Sequence, residues 1–215
     1  MDLSKSTSEV FEEWGSDNRA NGMEQGHWPR VQQAFALIPK MSGNYLEIGV
    51  GNGYGIRHMA TNQFSEGHCW GLDLASSMVA LSKKRTENIQ NITVEHGNFL
   101  EWVCPSSELF SLIFSMEVFY YFPKIQHGID KAYSLLEPGG QLWVLVNYFK
   151  ENEISHEWPC LLQTPMQLWS KQDYRDGFVN AGFSGVEQHQ FTDSQKKTSS
   201  DGSTLCIFGT RPAGL

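Results

Sequence analysis

The stretch Leu46-Glu47-Ile48-Gly49-Val50-Gly51-Asn52-Gly53-Tyr54-Gly55 decides the fold. Glycine occupies positions 49, 51, 53 and 55, directly after a short apolar run. A strand ending near Ile48 followed by an amphipathic segment from Ile56 predicts a strand–turn–helix junction. Glycine there lets the chain turn sharply and lets a ligand approach main-chain atoms that a Cβ would block. The helix that follows aims the positive end of its dipole into the same space. The next apolar run, Cys69-Trp70-Gly71-Leu72, ends at Asp73. An acidic residue about 20 residues beyond such glycines is placed to accept hydrogen bonds from ribose hydroxyls.

Two cofactor classes share this arrangement, and the spacing separates them. The dinucleotide fingerprint is G-x-G-x-x-G. Here the third glycine comes one residue early, as Gly49-x-Gly51-x-Gly53, and Glu47 stands two residues before the first. That E-x-G-x-G-x-G form resembles motif I of the class I S-adenosylmethionine-dependent methyltransferases, small-molecule type. Gly71-Leu72-Asp73-Leu74-Ala75-Ser76-Ser77-Met78 resembles the second-strand motif. Gly97-Asn98-Phe99 stands where the family has an acidic residue followed by an apolar one. Phe110 to Val118 is similar to the fourth-strand motif, Leu136-Glu137-Pro138-Gly139-Gly140 to the turn before strand five, and Ala181-Gly182-Phe183 to the segment before strand six.

The resemblance implies a fold and a set of roles. The expected fold is α/β, Rossmann-like and doubly wound. It has a mostly parallel seven-stranded sheet, an antiparallel last strand and helices on both faces. Gly49 and Gly51 would let the backbone approach the methionine portion and ribose of S-adenosylmethionine, with Asn52 and Gly53 in the same loop. Glu47 would orient the loop or bind the methionine ammonium through water. Asp73 would hold the ribose hydroxyls, and Leu74 and Met78 would pack near adenine. Asn98 would meet the adenine amine, with Phe99 supplying a backbone donor. Asn keeps the acceptor of the family's usual Asp but loses its charge. Ser115 and Met116 would line the methionine side. The spent cofactor would be S-adenosylhomocysteine.

Composition narrows the acceptor. The chain has 215 residues and a net charge of −8. It contains no Lys/Arg block to meet phosphates, so nucleic acid is an unfavoured partner. It also lacks the N/D-P-P-Y/F motif of many amide- and base-directed members of the family it resembles. It has no apolar run of roughly 18 residues and no basic-then-apolar leader, which predicts no membrane span and a cytoplasmic protein. Cys69, Cys104, Cys160 and Cys206 form no C-x-x-C pair, so no metal site is expected. The expected assembly is a monomer or homodimer acting on a small molecule.

One domain covers 1–215: an N-terminal helical lid (1–40), a cofactor-binding core (41–147), and an acceptor-side insert with C-terminal strands (148–215). Val10, Phe11 and Trp14 mark a short helix face. Residues 18–29 combine loop formers with Met, Glu, His and Trp, and Pro29 fits the first turn of a helix carrying Val31, Ala34, Phe35 and Ile38. Ser76 or Ser77 is expected to cap the next helix. Ser170-Lys171-Gln172-Asp173 reads as a capping box, and Gly182 as its helix's stop. Residues 193–203 read as a mobile polar link between two strands.

Methyl transfer is an in-line displacement at a carbon already activated by positive sulfur. Alignment and exclusion of water are the protein's main tasks, and positioning alone lowers such barriers by roughly 7–11 kcal/mol at best. An N or O nucleophile can need a base. The catalytic candidates are His27, Tyr120 and Tyr121. The acceptor-binding candidates are Glu24, Trp28, Glu117, Tyr148, His156 and Trp158. The cluster Met23-Glu24-x-x-His27-Trp28 resembles the lid that some small-molecule methyltransferases fold over the cofactor. One of the two adjacent tyrosines is expected to pack in the core. A nicotinamide-dependent oxidoreductase is disfavoured by the short glycine spacing, and a cofactor-binding regulatory module without turnover is the non-enzyme alternative.

Overall fold

A computed structural model describes residues 5–16, 19–105, 109–192 and 203–214. Seven strands form one sheet in the order β3-β2-β1-β4-β5-β7-β6. They are β1 (Tyr45–Ile48), β2 (Cys69–Asp73), β3 (Ile92–His96), β4 (Phe110–Met116), β5 (Leu136–Val146), β6 (Ser184–Phe191) and β7 (Thr204–Thr210). The first five run parallel, and β7 is antiparallel to both β5 and β6. Every residue of β1 and β4 is buried, as expected of central strands covered on both faces.

Alternate residues of these strands feed two apolar cores, one on each face. On one side Leu46, Ile48, Ile113 and Val144 meet Ile129 of α5 (Ile125–Leu135) and Phe178 of α7 (Lys171–Ala181). On the other, Tyr45, Leu112 and Phe114 meet α2 (Arg19–Leu37) through Val31 and Phe35, and α3 (Tyr54–Thr61) through Ile56 and Met59. Trp143 of β5 stacks on its cross-strand neighbour Phe208 of β7, with centroids 4.0 Å apart. The capping box at Ser170 forms with both of its hydrogen bonds, and Gly182 closes α7 at φ 100°. Cys69 and Cys206 are buried, and none of the four cysteines forms a disulfide.

Two local expectations are corrected. Residues 19–28 are helical, and Pro29 lies inside α2 instead of opening it. Packing overrides the weak propensity of Gly22 and Gly26: Ala20 at the helix start is buried against Ala75 and Met78. The side chains of Arg30 and Gln33 donate to the carbonyls of Gly26 and Pro29 within this irregular stretch, at 2.7 and 2.9 Å. Helix α4 (Ser76–Thr86) is not capped by its own serines, for its N-cap residue is Ala75. The cap comes instead from α1 (Thr7–Ser16), whose Glu12 carboxylate accepts the N–H groups of Ser76 and Ser77 at 2.5 and 3.0 Å. Residues 193–202 of the polar link lie outside the described residues. No helix among the described residues is long and apolar enough to cross a membrane.

Candidate active site

The strand order reverses at β1, which is flanked by β2 on one side and β4 on the other. Ligands in open α/β sheets lie beyond the strand ends at such a switch point. A cavity of about 450 Å³ sits there, over the carboxyl ends of β1, β2 and β4. Its size falls in the range of small-ligand sites.

The glycine loop forms its floor. The N–H groups of Gly49 and Val50 both bond Leu72 O, at 2.8 and 3.1 Å, which ties the loop to β2. Gly49 has φ 74°, and a Cβ on it would lie 2.3 Å from Val118 Cγ2. Gly51 has φ 54°, and a Cβ on it would meet nothing within 4 Å, so its space opens into the cavity.

Three buried carboxylates surround this floor. Asp73 accepts from Gly51 N at 2.8 Å and from Ala75 N at 3.0 Å. Burial raises its pKa to about 6 against the pull of those two bonds. Glu47 accepts from Tyr45 OH at 2.9 Å, and burial raises it to about 8. Gly55 leaves room for that carboxylate, because a Cβ there would lie 2.5 Å from Glu47 Oε1. Glu117 follows β4, accepts from Tyr120 OH at 2.8 Å and from Asn147 N, and is raised by burial to about 7.

His27 also lines the cavity. Burial, helped by Arg30, pushes its pKa down to about 4, so the imidazole is neutral at pH 7. Asn52 donates to Ala20 O and Glu24 Oε2, at 3.2 and 2.9 Å, which fixes its amide orientation. Its Oδ1 is buried with no hydrogen-bond partner. A buried acceptor left open in this way suits a ligand donor.

The cavity brings together Glu47, Gly49, Gly51, Asn52, Asp73, Leu74, Met78, Asn98, Phe99 and Met116 of the cofactor set. It also takes in Glu117, His27 and Tyr121 of the acceptor set. Asn98 is partly engaged, its Oδ1 accepting from Leu100 N at 3.0 Å. Gly53 and Ser115 do not line the cavity; Ser115 Oγ donates to Ile48 O at 3.0 Å and ties β4 to β1. Tyr120 packs in the core behind Glu117. Glu24 turns away to Arg85, at 2.7 Å. Trp28 packs edge-on against Phe35, Tyr54 and His58. Tyr148 lies between Tyr120 and Trp158, and the exposed His156 bonds Lys150 O at 3.1 Å.

Sequence reasoning missed the residues 6–8 and Phe11 as cavity wall. Phe11 meets Tyr121 edge-on, with centroids 5.3 Å apart, and closes one side. The signal was present: Ser6 and Glu9 exchange hydrogen bonds as a capping box that opens α1.

A family model described as a methyltransferase domain matches residues 22–188. The chain belongs to that methyltransferase family. No curated protein matches it. Among solved structures, a chain of the complex between the Haloferax volcanii Trm112 methyltransferase activator and its methyltransferase is 28% identical. That match covers 94% of this chain and 97% of the other, with a TM-score of 0.84. The Bradyrhizobium japonicum N-methyltransferase NodS, solved with S-adenosylhomocysteine, is 19% identical over 97% of this chain and 100% of its own, at TM-score 0.72. A Haemonchus contortus phosphoethanolamine N-methyltransferase is 17% identical at TM-score 0.77, and this chain matches 61% of its length against 98% of its own. The two less similar structures share the fold with this methyltransferase.

The enzyme is S-adenosylmethionine-dependent, and its cavity fits that cofactor. The open φ-positive glycine at 51, the unpartnered Asn52 Oδ1 and the carboxylates of Glu47 and Asp73 suit a ligand with hydroxyls, an ammonium and a sulfonium. When bound, the cofactor supplies an activated methyl group. The protein's residues shape the floor and set Glu47, Asp73 and Glu117 around it, with Phe11 of α1 and Met23 and His27 of α2 on the walls.

Proposed function

We propose that this methyltransferase acts on a small-molecule acceptor enclosed in the cavity beside the cofactor. The observation that carries this reading is the cover. Glu12 anchors α1 onto the start of α4, Phe11 reaches Tyr121, and Met23 and His27 of α2 wall the cavity. About 450 Å³ holds a cofactor and a compact acceptor, but not a folded protein segment or a nucleic-acid strand.

Asp73 holds the ribose hydroxyls in this reading. Gly49, Gly51 and Glu47 face the methionine portion. Leu74, Met78, Asn98 and Phe99 enclose adenine. His27, Glu117 and Tyr121 face the acceptor. The test is methyl transfer from labelled S-adenosylmethionine to a panel of small metabolites, with protein and RNA extracts in parallel. Label in small molecules alone supports the reading; label only in macromolecules refutes it.

The Haloferax relative supplies a second element, a protein partner, since its structure is a complex with an activator protein. We infer that an activator of that kind can bind this chain without supplying the acceptor. Size-exclusion of the two purified proteins tests it: co-elution supports the partnership, and separate elution at micromolar concentration excludes it.

A further inference from the structure

We propose that the acceptor is a small unphosphorylated amine, held as its ammonium by the carboxylate of Glu117. The proposal rests on the small-molecule reading and adds the acceptor's chemical class.

The switch point divides the cavity between two carboxylates. Asp73 ends β2 on the cofactor side, and Glu117 follows β4 on the other. Glu117 is one of two non-glycine residues with positive φ among the described residues, at 62°. A backbone of that kind is strained and persists where its surroundings impose it. Here Glu117 N donates to Leu145 O at 2.9 Å. Tyr120 OH and Asn147 N each take one carboxylate oxygen, and this fixes the head group at the cavity wall. A carboxylate has about four lone-pair sites, so two remain for a ligand.

The rest of the lining narrows the class. Glu47, Asp73, Glu101 and Glu117 line the cavity, and among the described lining residues there is no Lys or Arg. The neighbouring Arg85 is held by Glu24 at 2.7 Å. Arg30, whose charge reaches Glu117 and His27, stands behind the wall and does not itself line the cavity. A phosphate or carboxylate acceptor would meet the like charge of Asp73 and Glu117, with no lining cation among the described residues to receive it, an unfavourable juxtaposition. An ammonium finds the opposite. The rings of Phe11 and Tyr121 offer faces to its alkyl part or its charge.

Reaction requires a free lone pair. The ammonium N–H bond breaks, and its proton passes to a Glu117 oxygen. The nitrogen lone pair then forms the N–C bond to the methyl carbon as the C–S bond breaks, with its electron pair going to sulfur. The product is again an ammonium, and Glu117 returns its proton to solvent. A carboxylate held near 7 by burial is tuned for this exchange at neutral pH.

The test is a matched panel of amine, alcohol, thiol and phosphate monoester on the same alkyl and arylalkyl chains. Each is assayed for methyl transfer and titrated calorimetrically into the enzyme with S-adenosylhomocysteine. At least one amine should be methylated and should bind on the order of 10–100-fold more tightly than its alcohol, while the phosphate ester does not bind. Glu117→Gln keeps an acceptor for Asn147 N and a partner for Tyr120 OH, so its fold is preserved. It should reduce kcat/KM for the amine on the order of 100-fold or more and weaken amine binding, with S-adenosylhomocysteine affinity unchanged. Methylation of alcohols, thiols or phosphate esters without any amine overturns the amine assignment and leaves the small-molecule reading standing. Label only in macromolecules overturns both. Unchanged amine turnover in Glu117→Gln removes Glu117 from the role, and if that variant does not fold, the panel alone decides.

Discussion

Replacing Glu47 with Gln should make the ligand-free enzyme more stable at alkaline pH. The folded protein keeps a proton on Glu47 up to about pH 8, because burial, helped by the charge of Asp73, outweighs the hydrogen bond from Tyr45 OH. The unfolded chain releases that proton near the ordinary value of 4.5. Between these values the folded state binds more protons, so stability falls as pH rises. At 1.36 kcal/mol per pH unit, the interval from 4.5 to about 8 makes a loss of about 5 kcal/mol, complete above pH 8. Against a total stability of roughly 5–15 kcal/mol this is large. Gln is neutral at every pH, retains an acceptor for Tyr45 OH and fits beside Gly55, so the variant removes this slope and little else. Tyr45, Tyr54 and Cys69, the neighbours whose pKa values Glu47 raises, titrate above the window. Urea unfolding followed by tryptophan fluorescence, from pH 5 to 8.5 without cofactor, measures the effect. The wild type should lose several kcal/mol more than Glu47→Gln across that range. Parallel stability curves would show that Glu47 is ionised in the fold and would refute the reasoning.

Asp73→Asn removes the ionised acceptor on the cofactor side and should weaken S-adenosylhomocysteine binding on the order of 10–100-fold by calorimetry at pH 8. Gly49→Ala and Gly51→Ala should separate packing from binding. The first drives a Cβ to 2.3 Å from Val118 Cγ2 and should lower the melting temperature strongly. The second meets open space, should cost about 1–2 kcal/mol for its left-handed backbone, and should lose proportionally more cofactor affinity. Glu12→Gln should loosen α1. Burial acts upward on Glu12, but the N–H and hydroxyl groups of Ser77 and Ser76 outweigh it and hold its pKa near 2. The contact is therefore intact down to about pH 3, and its weakening should cost about 1 kcal/mol and raise hydrogen exchange across residues 7–16.

The strands were legible because hydrophobic runs and glycine breaks carry them: β4 is apolar or serine throughout, and Gly139-Gly140 precede the apolar run Leu142–Val146 of β5. The capping box at Ser170 was legible because it is a local interaction. The lid was not. Gly22, Gly26 and Pro29 speak for a loop, and only the burial of Ala20 and Val31 against distant residues makes them helical. That error hid a division among the acceptor candidates. Successive residues on a helix point about 100° apart, so Ala20, Met23 and His27 share the face toward the cavity. Glu24 and Trp28 share the next one, toward Arg85 and the rings of Tyr54 and His58. Tyr120 and Tyr121 divide in the same way, into the core and toward the cavity. Tyr148, His156 and Trp158 were chosen because aromatic and histidine residues fill binding sites, but the same residue types fill cores and loops.

The cap of α4 joins the two halves of this design. Its first amides, from Ala75, Ser76 and Ser77, point at two carboxylates from distant parts of the chain. Asp73 takes the first, with its other oxygen on the glycine loop at Gly51. Glu12 takes the next two and thereby holds α1, and with it Phe11, over the cavity. A helix N-terminus favours negative charge, so one dipole positions both the group assigned to the ribose and the helix that covers it. The acidity of the cavity follows from the same economy of position. Asp73 and Glu117 stand on opposite sides of a switch point that no lining Lys or Arg among the described residues neutralises, so in the proposed reading a sulfonium and an ammonium would complete the charge balance there.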